Sequence, residues 1–207
     1  MARFQPFWEW FIEHRETISS DMRSNDKDRQ RETVHRVDSR IGEVAPGVGF
    51  VYGHSGKPNR FVITANGIRE RIPLVEEMLE SAPKLDDWEF VAFRPPSNAT
   101  SDFQITIGED TLDIEDVVCR AFDLREEGIG VTLYPRQMCD ENYDRIRTLA
   151  TILMDHVIGE YASMTLIDSL RVDPLSEMHS TKNAVLLSEL REFLEEISDN
   201  RDETTGR

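Results

Sequence analysis

Ile72-Pro-Leu-Val-Glu-Glu-Met-Leu-Glu-Ser-Ala-Pro83, then Lys84-Leu-Asp-Asp87, then Trp88-Glu-Phe-Val-Ala-Phe-Arg-Pro95 is the stretch around which the chain is organised. Leu74, Val75, Met78, Leu79 and Ala82 recur at helical spacing and draw one apolar stripe. Pro73 suits a first helical turn, where the missing N–H costs nothing, and Pro83 stops the helix. Trp88, Phe90 and Ala92 then alternate with Val91 and Phe93, as in a strand buried on both faces. A short amphipathic helix feeding an apolar strand is a packing unit, and its neighbours show where it packs.

Upstream, Pro46-Gly47 closes a helical region. Val48, Phe50 and Tyr52 alternate with Gly49, Val51 and Gly53. After the turn signal Gly53-His-Ser-Gly-Lys-Pro-Asn59, alternation resumes over 60–65 through Phe61 and Ile63, which predicts a hairpin. Residues 48–94 thus read hairpin, helix, strand. Downstream, 117–124 and 129–134 predict a second hairpin about Arg125-Glu-Glu-Gly128. Asp140 is a suitable N-cap. Tyr143, Ile146, Leu149, Ala150, Leu153, Met154 and Val157 give the following helix a broad apolar face, and Gly159 suits its C-terminal end. Met164, Leu166, Leu170 and Val172, with Ile167 opposite, predict a strand over 162–172. Residues 117–172 therefore repeat the order without repeating the residues.

Two such units predict an α+β protein in which the strands merge into one mostly antiparallel sheet of six or seven strands, with both crossover helices on one face. The expected division is an N-terminal helical hairpin over 1–45, an α+β domain over 46–198 and a flexible polar tail over 199–207. In the hairpin, Phe4, Phe7, Trp8, Phe11, Ile12, Ile18 and Met22 share one face of a helix over 6–22. Trp10 lies off that stripe and is a candidate partner contact. A second helix over 26–44 carries Val34, Val37, Ile41 and Val44, and its Arg29, Arg31, Arg36 and Arg40 lie within pairing distance of Asp26, Asp28, Glu32 and Asp38. A last helix is expected over 181–198 on Leu186, Leu190, Phe193, Leu194 and Ile197.

The chain has 207 residues, a charged content of 31% and a net charge of −16. That balance disfavours nucleic acid and anionic membranes, whose phosphates are bound by Lys and Arg. Residues 1–45 hold eight Lys/Arg against nine Asp/Glu, so nearly all the excess acid lies beyond them. No apolar run approaches the ~20 residues of a membrane span, and the N-terminus lacks the basic and apolar regions of a signal peptide. With two cysteines only, a disulfide framework is excluded, and a cytoplasmic location is expected.

Motifs that carry chemistry are absent: no Gly-x-Ser-x-Gly elbow, Walker loop, His-Glu-x-x-His or paired Cys-x-x-Cys. Gly47-Val-Gly49 precedes a strand, so no helix N-terminus faces a phosphate. His156 and Glu160 are four apart but straddle Gly159, and zinc needs three or four converging ligands. Cys119 reads as a small buried hydrophobe. Cys139 has no neighbouring histidine to act as its base. The run Glu109-Asp-Thr-Leu-Asp-Ile-Glu-Asp116 lacks the glycine and terminal glutamate of a calcium loop. Glu109, Asp110, Asp113, Glu115 and Asp116 are instead the best acidic patch for a basic partner.

At Phe7-Trp8-Glu9-Trp10-Phe11, at Ala82-Pro83-Lys84-Leu85-Asp86-Asp87-Trp88 and at Ile158-Gly159-Glu160-Tyr161 the chain resembles a bacterial family of unknown function. That family opens with an aromatic-rich helix and carries an Ala-Pro-x-Leu-x-x-Trp run. It is similar in outline to ferredoxin-like inhibitors of a bacterial ribonuclease, an analogy of fold alone. The resemblance implies no catalytic residue, and residues 162–172 depart from the family's charged pattern. The expected function is a non-catalytic acidic interaction or regulatory module, of inhibitor or immunity type, without cofactor or metal and with a basic protein as partner. The alternatives are a carboxylate- or metal-dependent hydrolase and a homo-oligomer built on the aromatic first helix.

Overall fold

The computed structural model describes residues 3–53, 58–97, 103–107, 109–124 and 128–205, with the backbone alone at 107 and 198–205. The turn residues 54–57 and 125–127, the loop residues 98–101 and the last two tail residues lie outside them. The fold is α+β, and the chain divides into two compact units, Met1–Arg94 and Pro95–Arg207.

The first unit opens with a helical hairpin, α1 (Gln5–Met22) and α2 (Lys27–Val44). Asp26 caps α2, its carboxylate accepting from the amides of Asp28 and Arg29 at 3.0 and 3.1 Å, which satisfies two of the donors that a helix start leaves open. The strands β1 (Gly49–Gly53) and β2 (Asn59–Thr64) pair antiparallel. Asn66 and Gly67 both take positive φ, and the Ile68 amide returns to the Ala65 carbonyl at 3.2 Å, the geometry for which Asn-Gly is suited. Helix α3 (Ile72–Glu80) then crosses over to β3 (Trp88–Ala92), which pairs parallel to β2, giving the order β1-β2-β3. At Gly47 (φ +83°) an added Cβ would collide with the Arg71 guanidinium, which donates to the Gly47 carbonyl at 2.7 Å.

The hairpin belongs to this unit because its aromatic face is the lid of this sheet. Phe11 meets Phe61, Trp88 and Phe90 edge-on at 5.2, 4.9 and 5.4 Å between ring centroids. Trp8 meets Phe90 at 4.9 Å. The Trp8 indole also donates to the Met78 carbonyl (3.2 Å) and the Ser81 hydroxyl (3.0 Å), tying α1 to the end of α3. One polar knot completes the seam. The buried Asn59 accepts at its Oδ1 from Ser19 (3.2 Å), Arg23 (2.6 Å) and Tyr52 (2.9 Å), and donates to the Asp87 carbonyl. The boundary expected at residue 45 is thereby corrected to 94, since separating the hairpin would strip the sheet of its apolar cover.

The second unit begins with the ribbon β4 (Gln104–Ile107) and β5 (Asp110–Asp113). Next come β6 (Val117–Asp123) and β7 (Ile129–Pro135), antiparallel, then α4 (Tyr143–Ile158), α5 (Glu160–Leu166) and β8 (Ser169–Val172), which pairs parallel to β7. The strand β9 (Ala184–Leu186) joins the far side of β6, and α6 (Leu190–Thr205) closes the chain. The sheet order is β8-β7-β6-β9. Leu112, Ile114, Cys119, Val131 and Leu133 form one core with Ile146, Leu149, Leu153, Leu187 and Leu190.

Several expectations are corrected. The strands do not merge: among the described residues they form a three-stranded sheet, a two-stranded ribbon and a four-stranded sheet. Each larger sheet has its own helix to cover it, so neither needs the other's edge. Residues 160–166 are helical and not strand; Gly159 (φ 85°, ψ 149°) breaks the helix for one residue, and Glu160 and Met164 bury themselves at i,i+4 spacing. Asp140 does not cap α4, whose N-cap Asn142 turns its side chain back to the Gln137 carbonyl and the Cys139 amide. Residues 184–189 form β9 and a 3-10 turn before α6, and α6 continues through the expected tail to Thr205.

Phe61 is fully buried among Phe7, Phe11, Phe50, Trp88 and Phe90. Phe61→Ala is expected to cost about 3–5 kcal/mol of unfolding free energy, read from urea unfolding with Trp fluorescence. A loss below about 1 kcal/mol, well under the range for a buried Phe→Ala change, would contradict the packing described.

Candidate functional site

The acidic run lies on β5 and the 3-10 turn Ile114–Asp116 that follows it. Strand alternation sets its geometry. Leu112 and Ile114 are fully buried, so the Asp113 carboxylate between them is turned away from the core. Asp113 caps the 3-10 turn by accepting from the Glu115 amide at 2.9 Å. Asp110 forms an ion pair with Arg145 of α4. That hydrogen bond, with the added field of Glu109, raises the Arg145 guanidinium further above its ordinary range. The ribbon is thus fastened to α4 through one acid. Glu109, Glu115 and Asp116 have no ion pair among the described residues, and Glu109 and Glu115 are exposed.

Trp10 is in the other unit. Its ring is half-buried, stacked on His14 at 4.9 Å, with the Arg40 guanidinium 5.8 Å away on α2. Trp10 thus has contacts within the α1–α2 hairpin itself. The aromatic face of α1, the alternative seat of an oligomer interface, packs on the sheet of its own unit. The arginines of α2 are paired, Arg36 and Arg29 with Asp21 at 3.6 and 3.9 Å, Arg31 with Asp28 at 2.8 Å and Arg40 with Glu43 at 3.0 Å. Asp21 and Glu43 replace three of the four acids expected, because the turn between the helices brings Asp21 alongside.

Both cysteines are free thiols. Burial alone pushes the Cys119 thiol far above its ordinary range, which suits a core side chain and no nucleophile. Cys139 is exposed and hydrogen-bonds the Glu141 carboxyl; that bond, then the residue's own amide, hold Glu141 below the usual carboxylate range. Among the described residues no group of three or more His, Cys, Asp and Glu is placed to hold a metal ion. His156 packs edge-on against Phe103 at 5.3 Å, and Glu160 is fully buried. No described helix is long and apolar enough to cross a membrane.

Concave surfaces occur in both units among the described residues. In the first unit a cavity of about 350 Å³ is lined by Leu79, Pro83, Lys84, Leu85 and Trp88, the Ala-Pro-x-Leu-x-x-Trp run itself. The buried Trp88 indole N–H there has no acceptor among the described residues. In the second unit a groove of about 450 Å³ runs between α4 and β8, lined by Tyr143, Arg147, Thr151, Leu170 and Arg171. Sequence reading missed this groove, since its two walls are joined only by the crossover.

No family model, no curated protein and no solved structure matches the chain.

The two thiols give a direct check. Native protein is expected to react quickly with a chromogenic disulfide reagent at one thiol, Cys139, and at two after denaturation. Cys139→Ser removes the fast phase. Two fast thiols in the native protein would place Cys119 outside the core.

Proposed function

We propose that the protein is a non-catalytic acidic interaction module that binds a basic protein through Glu109, Asp110, Asp113, Glu115 and Asp116, in the manner of an inhibitor or immunity protein. The single observation that supports this most is the segregation of charge. Residues 95–207 hold 24 Asp/Glu against 10 Lys/Arg, a net of −14, whereas residues 1–94 hold 16 against 14, a net of −2. The acidic ribbon adds a fixed geometry to that charge. Two buried side chains and one ion pair hold it in place, so its carboxylates need not be ordered when a partner arrives. A concentrated negative field of this kind steers a basic partner and sets its orientation. Its reach is set by salt, with a Debye length of about 8 Å at physiological ionic strength.

The test uses a fluorescent decalysine peptide as the probe. Glu109→Gln, Glu115→Gln and Asp116→Asn together are expected to weaken its binding roughly tenfold at low salt and to flatten the salt dependence. The comparison protein carries Glu76→Gln, Glu77→Gln and Glu80→Gln on the exposed side of α3, which removes equal charge elsewhere and is expected to change little. Equal losses in the two variants would mean that net charge alone, and not the ribbon, governs association.

A further inference from the structure

We infer that β8 is an open sheet edge to which an extended segment of another protein adds as a fifth strand, with an acidic side chain of that segment received by Arg147. The argument uses none of the residues of the acidic ribbon. It begins with the order β8-β7-β6-β9, in which β8 ends the sheet. Ser169, Leu170 and Arg171 are exposed, Leu170 by 37%. By contrast β9, at the opposite edge, is half-buried, and its last amide is taken by the Glu189 carboxylate at 3.1 Å.

The backbone pattern identifies the free groups. In a parallel ladder the N–H and C=O of one residue point to the same side, and alternate residues face opposite sides. The Asp173 amide donates inward to the Leu133 carbonyl at 3.0 Å, in register with the pairing of Leu133 and Val172. Ser169 and Arg171 therefore face β7, and Leu170 and Val172 turn their amides and carbonyls outward. One outward group is already taken. The Val172 carbonyl accepts the Tyr143 hydroxyl at 3.3 Å. Tyr143 thus forms a fixed end wall to the groove. A four-residue open edge is too short to pair indiscriminately, yet it provides the main-chain bonds that strand addition uses.

The chemistry of the groove selects the occupant. Leu170 and the Tyr143 ring supply apolar contact. Arg171 is held by Asp173 at 3.0 Å, while Arg147 is exposed and has no ion pair among the described residues. A guanidinium without an ion pair among the described residues favours a carboxylate, with which it can form a two-pronged hydrogen bond at short range. A basic segment would meet two arginines. A second copy of this chain, paired edge to edge, would crowd both copies' Arg147 and Arg171 onto one short strip, and like charges opposed across strands destabilise.

The experiment titrates the whole isotope-labelled chain with two blocked hexapeptides, one alternating Val with Glu and one alternating Val with Lys. The Val/Glu peptide is expected to shift the amide signals of Ser169–Val172, and the Val/Lys peptide to leave them in place. Arg147→Ala should weaken the Val/Glu peptide by roughly tenfold or more, the share of a charge-assisted pair. Leu170→Pro removes an outward N–H without touching the β7 ladder, and Leu170→Ala keeps that N–H. Leu170→Pro should abolish binding and Leu170→Ala retain most of it, while the thermal unfolding midpoint of both stays within a few degrees, as for other surface substitutions. Equal binding of both peptides, indifference to Arg147→Ala, equal losses in Leu170→Pro and Leu170→Ala, or sedimentation showing self-association lost in Leu170→Pro would each overturn the inference.

Discussion

The edge-on packing of Phe11 against Phe61, Trp88 and Phe90 is the constraint on which the first unit depends. A three-stranded sheet with one parallel pair has little stability alone, and here its apolar face meets a helix that precedes it by some forty residues. The geometry suits aromatic rings, whose positive edges seek the negative faces of their neighbours. Such packing fixes orientation as well as burial. The Asn59 knot at the same seam accepts three donors from α1 and β1 at one buried oxygen. A buried polar network of this kind is favourable only when all its members meet, so it rewards one docking of the helix over its alternatives.

Both units then solve one topological problem in the same way. An antiparallel hairpin is followed by helix, and the next strand returns parallel to the hairpin's second strand, as β1-β2-α3-β3 and as β6-β7-α4-α5-β8. A parallel return requires a crossover long enough to span the sheet. In the second unit Gly159 splits that crossover, allowing α5 to turn while Glu160 and Met164 stay buried. The result leaves β8 at an edge beside α4 and fixes the acidic ribbon to the same helix through Arg145. Surface chemistry in this unit is therefore arranged around α4, with an anionic strip tied to Arg145 and a cationic groove around Arg147.

Periodicity made the helices and hairpins legible. Phe7, Trp8, Phe11 and Ile18 could be read as one buried face, and the Asn66-Gly67 turn needed only its two residues. What stayed illegible depends on partners distant in the chain. Ile12 falls on the stripe but is 39% exposed, because the neighbouring α2 and the sheet together define a narrower face than the pattern suggests. The three residues of β9 carry no strand signature of their own; they are ordered by Val118–Arg120 of β6, more than sixty residues earlier. The merging of the strands into one sheet was misjudged because alternation says which side of a strand is buried, not which edge finds a neighbour. The acids of 109–116 were visible as charge, but the Asp110–Arg145 pair that anchors them spans 35 positions.

The central claim is that the helical hairpin and the first sheet are one cooperative structure. Hydrogen exchange on the Phe11→Ala variant tests it most directly, since exchange reports which amides open together. If the claim holds, the amides of β1, β2 and β3 lose protection together with those of α1. Loss confined to α1, with the strands as protected as in the parent chain, would contradict it.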